Sequence, residues 1–466
     1  MPQPIAAHPD RLLPADPGVR QIARSLFSRV ENLPIISPHG HVDAAVIEQN
    51  LAFPDPAALL VTPDHYVTRL IHTSGVPLDQ LGLGSSAAGS RRIWHEFCKA
   101  WPLFEGTASG YWIRQEFEHV FGIREEPAVE TADQTYDAIS AKLAEPGFRP
   151  RELFKEFNIE VLATTDDPLD SLDSHAALAA DGAFAARVLP TFRPDAYLNI
   201  GHPQWQTNVE RLLGAVPGSS GYAGYLAALA ERRRYFVERG AVSADHGVHT
   251  PATLKLDDAE AGRIFERARA GKASAEDREV FEAHMLYQMA RMSVEDGLVM
   301  TIHPGSYRNH HDPTFEAFGP DAGHDIPFAV NYTEAIRPLL QDFGTAKDFH
   351  LVLFTLDETV FSRELAPLAG FYPSVYVGAP WWFLDAPDAM LRFRSAVTET
   401  AGFSRSSGFI DDTRAFCSIP ARHDTSRRIE SAFLARLVAE HRISEERAHE
   451  LILDIVDSSP RRVFKL

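Results

Sequence analysis

Eight short runs rich in Ile, Val, Leu and Phe, each ending in a polar or aromatic cluster, constrain what this chain can fold into more than any other feature. They are "LPIISPHGH", "IEVLATTDDP", "ARVLPTFRPD", "GAVSADHG", "GLVMTIHPG", "FHLVLFTLDE", "PSVYVGAPWW" and "SGFIDDTRAF", the seventh weak by periodicity. Continuous apolar runs suit parallel strands that are covered on both faces. Helical patterns lie between them. In 273–296, Ser274 with Asp277 reads as a capping box and Gly297 as a helix C-cap, directly before the run "LVMTIH". Strand and helix alternating in this way predict an α/β fold, a (β/α)8 TIM barrel, with chemistry at the C-terminal ends of the strands.

That rule gives the polar clusters a common destination. His39 and His41, Asp166 and Asp167, Arg193, Asp245 and His246, His303, Asp357, Trp381 and Trp382, and Asp412 with Arg414 are expected to converge on one face. The stretch from 45 to 155 is too long for one crossover and reads as helical, with "SRRIWHEFCKAW" and "YWIRQEFEHVF" as amphipathic pieces. The expected division is a barrel of residues 1–44 and 156–466 with a helical insertion, 45–155, between the first and second strands. A second insertion is expected over about 203–239, and both are placed where they can overhang the barrel mouth. The glycine-rich segment "GLGSSAAGS", 82–90, lacks the Gly-Lys-Ser/Thr ending of a phosphate-binding loop and reads as a flexible linker. No internal repeat, heptad run or low-complexity tract is present.

Composition narrows the classes. With 466 residues, 45% hydrophobic and 23% charged, the chain can bury a large core and is not of a disordered or fibrous type. A net charge of −19 argues against nonspecific binding to nucleic acid or anionic membrane, and an anionic ligand would have to be held by locally placed arginines. No apolar run approaches the roughly 20 residues of a membrane span. The opening "MPQPIAAHPD" shows no secretory signal, and Cys98 and Cys417 lie far apart, so a reducing cytoplasm is the expected home.

His39 and His41 stand two apart at the end of an apolar run, where residues i and i+2 share a side, so two imidazoles can share one metal ion. Without a metal, one would face solvent and the other satisfy a local hydrogen bond. A catalytic zinc site takes three protein ligands, and Asp411 or Asp412 in "GFIDDTR" supplies a candidate, though an acidic pair there is also an ordinary helix N-cap. His246 and His303, ending the fourth and fifth runs, read as further ligands, substrate contacts or structural histidines. "DHYVTR" offers His65 and Tyr66 as base and hydroxyl donor, although a packed tyrosine is the plainer reading. Arg193, Arg308 and Arg414 are candidates to clamp a carboxylate, each equally able to sit in a structural ion pair. Trp381 and Trp382 offer an apolar wall for a sugar-sized ligand, with one of the two expected to pack in the core.

Taken together, "HGH" at 39–41, "DHYVTR" at 64–69, "ATTDDPLD" at 163–170, "LPTFRPD" at 189–195, "SADHG" at 243–247, "TIHPGSYRN" at 301–309, "GAPWWF" at 378–383 and "DDTRAF" at 411–416 resemble the uronate isomerases of the amidohydrolase superfamily, in family order over nearly the whole chain. The resemblance implies a distorted (β/α)8 barrel of the metal-dependent hydrolase type. It implies conversion of D-glucuronate to D-fructuronate, or of D-galacturonate to D-tagaturonate. It implies one divalent metal, usually zinc, on His39, His41 and Asp412, with catalytic or substrate-contacting roles for His65, Tyr66, Arg193, Trp381 and Arg414. Where the family often shows "ALRNNN", this chain has "HPGSYRNHH", which leaves the role of Arg308 and its neighbours open.

Aldose–ketose isomerisation removes a proton from C2, passes through an enediol or enediolate and returns a proton to C1, so it needs a base, oxyanion stabilisation and a proton carrier between two oxygens. Tyr66 or His65 is the expected base, Arg414 and the metal the expected stabilisers, and Asp412 a group that can take the ring hydroxyl proton. A tyrosine base requires a nearby cation to lower its pKa. The substrate carboxylate is expected on Arg193, Arg414 or the metal, and the protein is expected to be a homo-oligomer with no nucleic-acid or membrane partner. Two competing readings are a metal-dependent hydrolase that uses His246 and His303 as further ligands, and a barrel that binds sugar acids without turning them over.

Overall fold

The protein is described by a computed structural model covering residues 4–5, 8–84 and 88–466. The linker expected at 82–90 and the opening decapeptide therefore lie partly outside the described residues. Among the described residues ten strands occur in chain order: β1 (Ile35–Ser37), β2 (Ile159–Ala163), β3 (Arg187–Leu189), β4 (Thr191–Phe192), β5 (Ser243–His246), β6 (Val299–Ile302), β7 (Ser306–Tyr307), β8 (Ile326–Pro327), β9 (Leu351–Leu353) and β10 (Val375–Val377). Two parallel sheets, β1-β2-β3 and β10-β9-β6-β5-β4, form the barrel wall, while β7 and β8 make a separate antiparallel hairpin. The two parallel sheets are joined where Asp166 bridges Phe192 and the Arg193 amide donates to the Asp166 carbonyl at 3.1 Å.

The eighth run is not a strand, which corrects the expectation. Residues 406–413 bridge β10 through Ser406 and Val377, and the ring closes where the His41 amide donates to the Thr413 carbonyl at 3.1 Å. Gly408 at φ +78° and Asp412 at φ +45° take this segment out of extended geometry, so a regular ladder cannot form. The barrel is distorted at this seam.

Side-chain parity along the strands separates the inner and outer cores, because successive residues face opposite sides of a sheet. Val299, Val352 and Tyr376 face inward with Val463 and Phe464, which come from the last helix, Ser459–Phe464. Their neighbours Met300, Leu351, Leu353, Val375 and Val377 face outward into the largest core, with Phe265, Met285 and Phe393 of the surrounding helices. The helix Ala275–Asp296 has the expected ends: Ser274 and Asp277 form a reciprocal capping box, and Gly297 closes it at φ +82°. The N-cap side chain stabilises its end by about 0.5–2 kcal/mol.

Between β1 and β2 the described residues form helices without a strand, among them His65–Thr73, Ser90–Ala100 and Ala108–Gln115, the last running into a π turn, Glu116–Val120. Their apolar side chains, such as Trp94, Phe97 and Phe117, share one core with Ile35 of β1 and Ile159 and Leu162 of β2. The helices Trp205–Ala215 and Gly221–Val237 do not overhang the mouth as expected. They pack against Phe192 and Phe265 as the crossover between β4 and β5. No described helix is long and apolar enough to cross a membrane.

Candidate active site

A cavity of about 490 Å3 opens at the C-terminal ends of the strands. It is lined by His39, His41, His65, Tyr66, Arg193, His303, Arg308, Trp381, Asp412 and Arg414, so these strand-end and insertion candidates meet there, whereas Asp166, Asp167 and Asp357, expected on the same face, do not line it. His246 does not reach it. On β5, Ala244 and His246 share the outward parity while Asp245 faces in, and His246 Nδ1 lies 2.9 Å from the Thr301 carbonyl. Burial pushes its imidazole down to about 4, which keeps it neutral.

At the closing seam, His39 Nε2 and His41 Nε2 lie 3.4 and 3.0 Å from Asp412 Oδ1. This is the one group of three or more His, Cys, Asp or Glu ligand atoms within 4.8 Å of one another among the described residues. Asp412 Oδ1 is buried and has no hydrogen-bond partner, an arrangement that costs free energy unless a cation completes it. Burial would raise the Asp412 carboxyl, but the adjacent imidazoles of His39 and His41 hold it well below the usual range, so it is an anion. Burial keeps His41 neutral. Two imidazoles and one carboxylate with room beside them are the donor set of a catalytic divalent-metal site. Asp411 faces the other way: its Oδ2 meets His423 Nε2 at 3.1 Å, which fixes the turn that presents Asp412.

The three arginines all line the cavity, and each has a carboxylate at hand. Arg193 Nε donates to Asp195 at 2.9 Å and its Nη1 lies 3.6 Å from Asp245; burial opposes its charge, but Asp195 and Asp245 raise its pKa overall. Arg308 donates to Asp325 at 2.7 Å and lies 4.9 Å over the Trp382 ring. Arg414 is paired with Asp321 at 3.0 Å and remains 38% exposed, so its guanidinium is open to the cavity. His303 Nε2 meets Asp245 at 2.9 Å and its ring stands edge-on to Trp381 at 5.3 Å. Trp381 and Trp382 both line the cavity and both belong to the inner core, so neither is given over to packing alone.

His65 and Tyr66 begin the helix His65–Thr73, whose N-cap, Asp64, accepts from the Tyr66 amide at 2.8 Å. Their rings are stacked at 5.1 Å, and Trp382 meets His65 edge-on at 5.5 Å. Burial lowers the His65 pKa, against Asp64 and with Arg414, so its ring is neutral, and its buried Nε2 has no partner. Tyr66 differs from the expectation for a base. Burial, and then the Asp385 carboxylate, push its phenol well above the ordinary value, against the pull of Arg422. Its O–H donates to Asp385 Oδ2 at 3.3 Å. A cation does stand near the ring, but it is Arg422, and the carboxylate outweighs it.

Sequence reasoning missed Asp385 and Arg422. Arg422 Nη1 donates to Asp385 Oδ2 at 2.9 Å, and burial raises the Asp385 carboxyl to about 7 in spite of that partner. Asp385 ends the stretch "WWFLD", which was read only as far as its tryptophans, whereas Arg422 sits inside the helix Ile419–Ala439 with no local signal to mark it. Asp64, Asp195, Asp321 and Asp325 were also missed; Asp64 and Asp195 stand inside quoted motifs, whereas Asp321 and Asp325 lie in a stretch that carried no motif.

Residues 18–464 match the family model described as glucuronate isomerase. A uronate isomerase of Corynebacterium efficiens is 58% identical over 464 residues, covering 99% of each chain. The fold is similar to the crystal structure of glucuronate isomerase from Caulobacter crescentus, at TM-score 0.97 and 46% identity over 99% of this chain and 98% of that one. It is also similar to uronate isomerase from Thermotoga maritima, at TM-score 0.92 and 29% identity over 98% of this chain and 99% of that one.

Proposed function

The chain belongs to the glucuronate isomerase family, and from that premise we propose that its cavity interconverts D-glucuronate with D-fructuronate, and D-galacturonate with D-tagaturonate. The observation that carries the reading is the meeting of a two-histidine, one-aspartate cluster, three arginines and the His65–Tyr66 pair in one cavity. A hydrolase using His246 and His303 as further ligands is less well supported, because His246 faces the outer core and His303 Nε2 is engaged by Asp245.

The chemistry follows from what each side chain can do with a proton. The neutral His65, with Nε2 unpartnered, is the base that removes the C2 proton. As C1=C2 forms, the Tyr66 hydroxyl gives its proton to O1 and Arg414 stabilises the charge on the enediol oxygens. Tyr66 then takes the O2 proton as C2=O forms, and the His65 imidazolium returns its proton to C1. One hydrogen has moved from C2 to C1 and one from O2 to O1, and every protein group is restored. Asp412, the anion of the site, is placed to receive the ring hydroxyl proton when the sugar opens.

His39, His41 and Asp412 would hold one divalent ion, zinc by preference of the donor set, and when bound it supplies positive charge to the oxygens of the acid. Arg193 and Arg308 bind and orient the anionic end, with Trp381 as the apolar wall. We place residues 45–155 as an insertion whose segment 63–66 completes the mouth. Two buried free cysteines and a net charge of −19 support a cytoplasmic protein without nucleic-acid or membrane partners. We assign it a homo-oligomeric state, with exposed apolar side chains such as Phe371 and Leu51 as support, to be read from its mass in solution. Incubation with each hexuronate followed by NMR tests the main reading: ketose should appear, and hydrolysis of an ester, lactone or amide in its place would overturn it.

A further inference from the structure

Beside Tyr66, where Arg422 reaches the edge of the cavity, lies a buried ion pair for which the reaction as derived has no role. Asp385 is 4% exposed and Arg422 is 1% exposed. Asp385 Oδ2 accepts both the Tyr66 O–H, at 3.3 Å, and Arg422 Nη1, at 2.9 Å. Arg422 is itself held on three sides: Nε donates to Ser418 Oγ at 3.1 Å, Nη1 to the Asp411 carbonyl at 3.2 Å, and its face lies 3.8 Å from the centre of the Trp112 ring. Trp112 in turn meets Tyr66 edge-on at 5.7 Å. A guanidinium held at Nε, at Nη1 and by its face fixes the carboxylate, although its Nη2 has no partner, and the carboxylate fixes the phenol oxygen.

We propose that Asp385, clamped by Arg422, is a positioning residue for the isomerisation: it holds the Tyr66 oxygen where the phenol can exchange protons with both O1 and O2 of the sugar. This rests on the reading of the cavity as a hexuronate isomerase site. The physical need is plain. A tyrosine that must donate to one oxygen and accept from its neighbour within one turnover cannot rotate freely about its Cβ, and misplacement by about 1 Å can cost about a hundredfold in rate. A buried ion pair does not by itself stabilise a fold relative to apolar packing, so its presence behind a reacting group points to a positional task.

The test is a double-mutant cycle on the intact protein, after wild-type turnover of D-glucuronate has been established. Asp385→Asn should lower kcat by about tenfold or more with KM within about threefold, because binding groups are untouched. In a Tyr66→Phe background, adding Asp385→Asn should change kcat by less than about twofold, since the residue through which Asp385 acts has already gone. A structural role would instead multiply the two losses, and a binding role would raise KM; either result overturns the proposal, as does a kcat equal to wild type. If Asp385→Asn fails to fold because Arg422 is left unpaired, Asp385→Asn/Arg422→Gln removes both charges, and the same cycle with Tyr66→Phe applies. An inactive wild type would overturn the functional reading and this inference with it, whereas an active wild type with multiplying losses would overturn the inference alone.

Discussion

Glu116→Gln isolates a cost that the fold carries beneath the site. Glu116 stands in the π turn Glu116–Val120, 5% exposed. Burial first, and then the charge of Asp64, push its carboxyl from 4.5 up to about 8, against the opposing pull of Arg422. A raised folded-state pKa means that the fold favours the neutral acid. Its contribution to stability is therefore complete below the unfolded value and is lost as pH rises through the folded one. Between pH 6 and pH 9 the linkage integral spans about two pH units, or about 2.7 kcal/mol at roughly 1.4 kcal/mol per unit. Glutamine keeps the shape and cannot ionise, so the variant should lose this part of the pH dependence. The assay is urea unfolding of wild type and Glu116→Gln at both pH values, read as the difference of differences so that all other titrations cancel. Wild type should weaken by about 2–3 kcal/mol more than the variant over that interval. Parallel behaviour within about 0.5 kcal/mol would refute the reasoning, because it would mean the carboxyl is already ionised at pH 6.

Other perturbations address the site and its frame. His41→Ala removes one of three converging ligands, and metal analysis should show bound divalent ion falling from near one equivalent to below about a tenth, with activity lost in step. Gly247→Ala places a Cβ 2.8 Å from both Asp195 Oδ2 and His303 Cε1 and 3.0 Å from Arg193 Nη2, so kcat/KM should drop by about tenfold or more while the thermal midpoint changes little. Arg394 is 2% exposed and donates to Glu430 at 2.8 Å; Arg394→Met should cost about 3–5 kcal/mol by urea unfolding, and adding Glu430→Leu should recover most of it.

The parts of this molecule that were legible in the sequence are those with local causes. The capping box at Ser274 and Asp277 depends on residues three apart, and His39 and His41, two apart just past the end of β1, both reach Asp412. Asp412 could be named as a ligand, but the reason it turns inward is a left-handed backbone at φ +45°, which no apolar pattern encodes. His246 was misplaced for want of a register: once β5 is aligned with β6, Asp245 pairs with Thr301 inside and His246 must face outward. Tyr66 looked like a base because its surroundings could not be known. The carboxylate facing its oxygen lies 319 residues along the chain, and the arginine that clamps that carboxylate lies a further 37 on. The eighth strand failed for a similar reason, since "SGFIDD" carries a strand composition while Gly408 and the packing of Pro460 against it impose a bend.

The central claim is that this cavity moves a hydrogen from C2 to C1 of a hexuronate. D-Glucuronate deuterated at C2, incubated with the metal-loaded protein and followed by proton and deuterium NMR, reads that transfer directly. The account predicts D-fructuronate with the label gone from C2 and recovered at C1 or in solvent, and no such change with His65→Ala. Retention of the C2 label with no ketose from either hexuronate would contradict it.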